Sequence, residues 1–147
     1  MEPKIIKTAE GLNLLGGRQI IKLQSEDTNR TITVMTSKVP AGGGVPLHVH
    51  QREDEIFQII EGDLEVTVGG KISLLTTGDM IFMPRKIAHG FKAVTDTTMW
   101  TTLTPAGIET MFIELAALPA GPPDIQKMTE ICGKYEITFP ASNTSKT

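Results

Sequence analysis

Between Gln19 and Leu103 the chain alternates short runs rich in β-branched and aromatic residues with clusters of turn-forming residues. This spacing predicts strands at Gln19 to Gln24, Arg30 to Val39, Val45 to His50, Glu55 to Ile60, Leu64 to Val68, Ile72 to Leu75, Met80 to Met83, His89 to Val94 and Thr98 to Leu103. Glu61-Gly62-Asp63, Gly69-Gly70-Lys71 and Thr76-Thr77-Gly78-Asp79 supply the turns between them. Little chain is left for crossover helices, so the sheet should be antiparallel and the fold all-β. After Pro105 the period changes. Ile108, Met111, Phe112 and Leu115 recur at i, i+3, i+4 and i+7, which predicts an amphipathic helix from Gly107 to Ala117. A second helix is expected from Pro123 to Gly133, presenting Ile125, Met128 and Cys132, followed by an extended strap in which Tyr135, Ile137 and Phe139 alternate. The 147 residues fit one domain over 1–140, with a helical appendage at 107–133, and 141–147 read as a disordered tail.

Charge narrows the partners. Fourteen Lys and Arg against seventeen Asp and Glu, with no basic block, give no phosphate-tracking surface, so nucleic acid is not expected. No apolar run approaches membrane-spanning length, and the N-terminus lacks the apolar stretch of a signal peptide. A single cysteine, Cys132, cannot form an internal disulfide. A cytoplasmic protein is the expectation.

The chain has three histidines, and their spacing suits a metal. His48 and His50 are two apart on one strand and face the same side. Glu55 has the wrong parity for that strand, so Gln51-Arg52-Glu53-Asp54 must form a turn or bulge that re-aims its carboxylate. His89 arrives from another strand as a fourth ligand. Buried without partners, such groups cost roughly 1–3 kcal/mol each, and an ion offsets that cost. Three imidazoles and one carboxylate suit one divalent transition metal per chain (Fe, Mn, Ni, Cu, Co or Zn) and do not suit calcium.

The segments Gly42-x5-His48-x-His50-x4-Glu55-x6-Gly62 and Gly78-x5-Pro84-x4-His89 resemble the paired motifs of the cupin superfamily. The resemblance, which spans 31–103 through these motifs, implies a small antiparallel β-barrel (jelly roll) holding a metal inside, and a homodimer. The second motif departs from the family at Lys86, often glycine, and at Ala93, often asparagine. Pro46 to Glu55, with Pro105-Ala-Gly-Ile-Glu109, further resembles single-domain cupins described as quercetin 2,3-dioxygenase-like.

Parity places Phe57 and Ile59 on the face of Glu55 and Phe91 on that of His89, as a substrate pocket or as core. Leu64, Val66 and Val68 read as core, as does Trp100, which could alternatively cap the cavity mouth. Met35, Met80, Met83, Met99 and Met111 would give a deformable lining if they face inward. Between Gly42 and Leu103 the cations are Arg52, Lys71, Arg85, Lys86 and Lys92, mostly in expected turns, which disfavours acidic or phosphorylated sugars. The expected function is therefore a dioxygenase-type oxidoreductase acting with dioxygen on a small aromatic or enolisable molecule, with Glu55 as ligand and general base. The alternative is a non-oxidative isomerase, lyase or binding module using the same metal.

Overall fold

The computed structural model describes residues 1–140; the expected tail at 141–147 lies outside them. The strands are β1 (Leu12–Leu14), β2 (Gln19–Leu23), β3 (Thr33–Val39), β4 (Gly44–His50), β5 (Asp54–Glu61), β6 (Leu64–Val68), β7 (Lys71–Leu75), β8 (Met80–Met83), β9 (His89–Ala93), β10 (Thr97–Thr104) and β11 (Ile137–Thr138). Two helices, α1 (Glu109–Ala116) and α2 (Ile125–Lys134), precede the last strand. One sheet has the order β1-β2-β3-β10-β5-β8 and the other β11-β4-β9-β6-β7. Neighbouring strands run antiparallel throughout. The architecture is a jelly roll of two facing sheets. The expectation of a closed barrel is corrected, because β8 and β7 end their sheets without pairing to the other sheet.

Alternation sets the inner face. Along β10, Thr97, Met99, Thr101 and Leu103 are buried, and the residues between them are half-buried on the outer side. Cross-strand register extends these positions into rows: Gln19, Ser37, Met99 and Ile59; then Ile21, Met35, Thr101, Phe57 and Ile81; then Thr33, Leu103, Glu55 and Met83. Trp100 has the opposite parity and pairs with exposed Gln58 on the outer face. It therefore neither caps the cavity nor fills the core, as the alternation of its own strand requires.

Two apolar clusters bracket the site. Phe57, Ile59, Leu64, Val66, Leu75, Met83, Ala93 and Met99 pack between the sheets, with Val68 against them. Leu103, Ile108, Met111, Ile131, Cys132 and Ile137 tie the helices to the sandwich. Helix α1 is anchored by buried Glu109. Its carboxylate accepts hydrogen bonds from the Ser25 backbone N–H (2.6 Å), Ser25 Oγ (2.6 Å), Thr33 Oγ1 (2.6 Å) and the Gly107 N–H (2.7 Å). Helix α2 starts behind Asp124, whose side chain accepts from the Lys127 N–H at 3.0 Å, so an aspartate cap one residue after Pro123 sets its beginning. Gly62 is required where the β5–β6 turn meets β10, since at φ +105° an added Cβ would lie 2.4 Å from the Asp96 carbonyl oxygen.

Candidate metal centre

Local sequence aims each ligand. In β4 the pairing to β9 slips between Val45 and His48, and Pro46 lies in that irregular stretch, where its missing N–H costs no ladder bond. Gly90 faces the same stretch. A Cβ there would meet the Leu47 nitrogen at 2.9 Å and the Pro46 carbonyl carbon at 3.0 Å. The close approach brings His48 directly opposite His89. The chain then turns through residues 51–53 before β5 begins at Asp54, which restores Glu55 to the inner face as its parity demanded. Two contacts hold the loop between β8 and β9 to this turn. Arg85 donates to Asp54 from Nε (3.1 Å) and Nη2 (3.2 Å), and the Lys86 N–H donates to the His50 carbonyl at 2.7 Å.

His48, His50, Glu55 and His89 are all buried, and one ligand atom from each lies within 4.8 Å of the others. Bonds of about 2.0–2.2 Å to a shared centre set ligand atoms roughly 3–4.4 Å apart, a spacing comparable with that of the cluster. The four could hold one metal ion. Each imidazole has an acceptor near its Nδ1: the Pro46 carbonyl for His48 (2.8 Å), Glu53 Oε1 for His50 (3.2 Å) and the Ile87 carbonyl for His89 (3.4 Å). That arrangement favours the tautomer that leaves Nε2 free as a ligand. Burial depresses the His48 pKa to about 4, outweighing the Pro46 hydrogen bond, so the ring is neutral at physiological pH. His89 Nε2 stands 2.8 Å from Glu55 Oε1 and His50 Nε2 stands 3.6 Å from the same oxygen, so three of the four ligand groups already converge.

A cavity of about 990 Å³ opens above the cluster, and His48, His50 and Glu55 lie in its wall. Phe57 and Phe91 line it with ring centroids 5.2 Å apart and planes at 85°. Ile59 does not line it, which corrects its assignment to the pocket. Although it shares the face of Glu55, Ile59 packs one row further on, among Leu64, Val66 and Leu75. Met35, Met99 and Met111 do line the cavity, whereas Met83 is core and Met80 is exposed. The far wall comes from the appendage, through Ile125, Met128 and Cys132 of α2 and Phe139 of the strap, whose ring centroid is 6.1 Å from that of His48. Sequence reasoning missed Glu53, which was assigned to a polar turn. It is 5 % exposed and hydrogen-bonds a ligand histidine. Its signal was available: an acid three residues after His50, in a turn forced to fold back toward it.

Comparison with known proteins agrees with this geometry. The family described as "Cupin domain" matches residues 35–103. A quercetin 2,3-dioxygenase of Bacillus subtilis (strain 168) is 27% identical over 107 residues, which is 71% of this chain and 32% of that protein. The chain thus spans about a third of that relative's length. Among solved structures, an RmlC-like cupin from Shewanella frigidimarina superposes with a TM-score of 0.57 at 24% identity, covering 67% of this chain and 86% of the other. A protein with a double-stranded β-helix domain from Klebsiella pneumoniae gives 0.58 at 19% identity, covering 72% and 93%. These likenesses establish the fold.

Proposed function

We propose, from the premise that this chain carries a cupin domain over residues 35–103, that it is a metal-dependent oxidoreductase of the dioxygenase type. Its substrate would be a small planar molecule, aromatic or enolisable, with adjacent oxygens. The observation that carries the reading is a three-histidine, one-glutamate cluster that presents His48, His50 and Glu55 to a cavity that is otherwise largely apolar. Among the described residues no lysine or arginine lines that cavity, so an acidic or phosphorylated sugar would find no cationic clamp there. The likeness to a quercetin 2,3-dioxygenase supports the oxidative branch.

When bound, a divalent metal would supply Lewis acidity toward substrate oxygens and a centre able to exchange electrons. The residues of the chain perform the remaining tasks. The three imidazoles, held by acceptors at Nδ1, keep the ligand atoms oriented. The edge-to-face pair Phe57 and Phe91 limits how a flat ring enters, and the methionine-rich wall can deform around it while excluding water. Glu55 sits where a substrate hydroxyl would approach the cluster, and its carboxylate oxygen can accept that hydroxyl proton as general base.

The test is dioxygen uptake by protein reconstituted with each candidate metal, against a panel of flavonols and 1,3-diketones. Consumption of dioxygen in proportion to substrate loss, abolished in His48→Ala, is expected. Metal-dependent binding of these ligands without uptake for any metal would replace the oxidative reading with a lyase, isomerase or binding module.

A further inference from the structure

Helix α2 is fastened at one end only. At its C-terminal end Ile131 and Cys132 are buried, and Lys134 and Tyr135 both donate to the Glu114 carboxylate of α1. The chain then joins β4 through β11, where Ile137 pairs with His50, and the Gln51 N–H donates to the Glu136 carbonyl at 3.3 Å. The other end has no comparable hold. Residues 119–127 are all exposed, and among the described residues 119–123 make no hydrogen bond. Within Pro119-Ala-Gly-Pro-Pro123, Gly121 stands at φ +123°, and a Cβ added there would meet nothing within 4 Å.

The loose end carries apolar side chains at the cavity mouth. Ile125, Met128, Thr129 and Cys132 recur at i, i+3, i+4 and i+7, so one face of α2 lines the cavity from end to end. Exposure rises along that face, from 6 % at Cys132 through half-buried Met128 to 66 % at Ile125. Leu47 of β4 and Phe139 of the strap line the same cavity and are also exposed. Single exposed apolar side chains are ordinary, but three around one opening, beside a helix end that little holds, mark surface that inward movement would bury. There is room for that movement. At about 990 Å³ the cavity is at the upper end of the ~300–1,000 Å³ of small-molecule pockets, so a small occupant leaves space beside it and forfeits contacts across that space.

We propose that α2 is a lid. Its N-terminal half swings inward about the Glu114 anchor when a small, neutral, apolar molecule enters the cavity, and Ile125 and Met128 close over that molecule. The pairing of β11 with β4 and the contacts of Glu114 persist through the motion, so the histidines keep their places. The inference is independent of the metal and of the oxidative chemistry, because it concerns any apolar occupant of the cavity.

Hydrogen exchange read by mass spectrometry on the full chain, with and without the neutral fluorophore N-phenyl-1-naphthylamine, tests the lid. This probe has no chelating oxygens, so its binding is read apart from the metal cluster. In the free protein the amides of residues 127–130 should exchange about tenfold faster than those of 131–134. A saturating concentration of the probe should slow the first set about fivefold, with a smaller change in the second set and in β10. Ile125→Ala should weaken the probe about fivefold in a fluorescence titration and leave the urea midpoint of the probe-free protein unchanged, because this side chain packs little until the lid closes. The wild-type exchange comparison carries the test if the variant does not fold. Equal exchange along α2 in the free protein, a bound probe that slows α2 no more than β10, or an unchanged probe affinity in Ile125→Ala makes the helix a fixed wall and overturns the lid. A probe that fails to bind up to its solubility limit overturns it too, since closure then has no apolar occupant to act on.

Discussion

Replacing Glu53 with alanine should weaken metal binding without touching a ligand. Glu53 is buried, and among the described residues its carboxylate makes one side-chain hydrogen bond, to His50 Nδ1 at 3.2 Å. A hydrogen bond to a charged partner contributes about 1.5–3 kcal/mol. At 3.2 Å the contact is longer than the ~2.7–2.9 Å of a strong charge-assisted bond, so the lower figure applies. About 1.5 kcal/mol corresponds to roughly a tenfold loss of affinity, at the lower end of the ~10–100-fold seen when such supporting groups are removed. Glu53→Gln keeps an acceptor and loses the charge, which halves the interaction and predicts a loss of about threefold. Stability of the metal-free protein should behave differently. Alanine relieves the cost of burying a carboxylate and orphans one imidazole N–H, and these offset to within about 1 kcal/mol. Competition for zinc or cobalt against a chromophoric chelator at fixed neutral pH, alongside urea unfolding of the metal-free forms, separates the two effects. Glu53→Ala binding metal within twofold of wild type, while His50→Ala loses it, would refute the supporting role.

His48→Ala, His50→Ala and His89→Ala should each abolish the metal-dependent rise in thermal midpoint, because binding to the native state is linked to folding. Glu55→Gln should keep more metal than these variants while losing turnover, and equal metal loss in all four would remove the case for Glu55 as base. Lys86 is exposed and held at φ +69°, a conformation costing an L-residue ~1–2 kcal/mol, against ~0.5–1 kcal/mol of extra chain entropy for glycine. Lys86→Gly should therefore stabilise the protein by about 0.5–1 kcal/mol in urea unfolding, and a loss would contradict that balance. Burial alone would raise the Glu109 pKa, but hydrogen bonds from Ser25 and Thr33 hold it below the ordinary carboxylate value. Its stabilisation is present above the unfolded-state pKa and is lost as pH falls through the lower folded value. Glu109→Gln should be less stable than wild type at neutral pH, with the gap narrowing in acid; a gap independent of pH would show that ionisation does not matter.

Much of this arrangement was legible because period-two burial leaves a direct mark on the residues. The strands Leu64–Val68 and Met80–Met83 lie where alternation and glycine turns placed them. The parity mismatch of Glu55 required the turn at 51–53, and that turn is what converges the ligands. Parity assigns a residue to a face and says nothing about depth along that face. Ile59 and Phe57 were therefore indistinguishable in sequence, although one is sealed between the sheets and the other lines the cavity. Barrel closure was overestimated for a related reason, since edge pairing depends on the register of strands far apart in the chain. The cavity's outer wall was equally hidden. Amphipathic spacing marked α1 and α2, but only tertiary packing against β4 turns Phe139 and Met128 toward the histidines.

His48, His50, Glu55 and His89 together should hold a single metal. Elemental analysis of protein purified without chelators or an affinity nickel column tests it most directly, with the His48→Ala, His89→Ala double variant as control. One equivalent of a divalent transition metal per chain in the wild type, and essentially none in the double variant, is the predicted result. A wild-type protein that is metal-free as purified and takes up no added iron, manganese, nickel, copper, cobalt or zinc would contradict it.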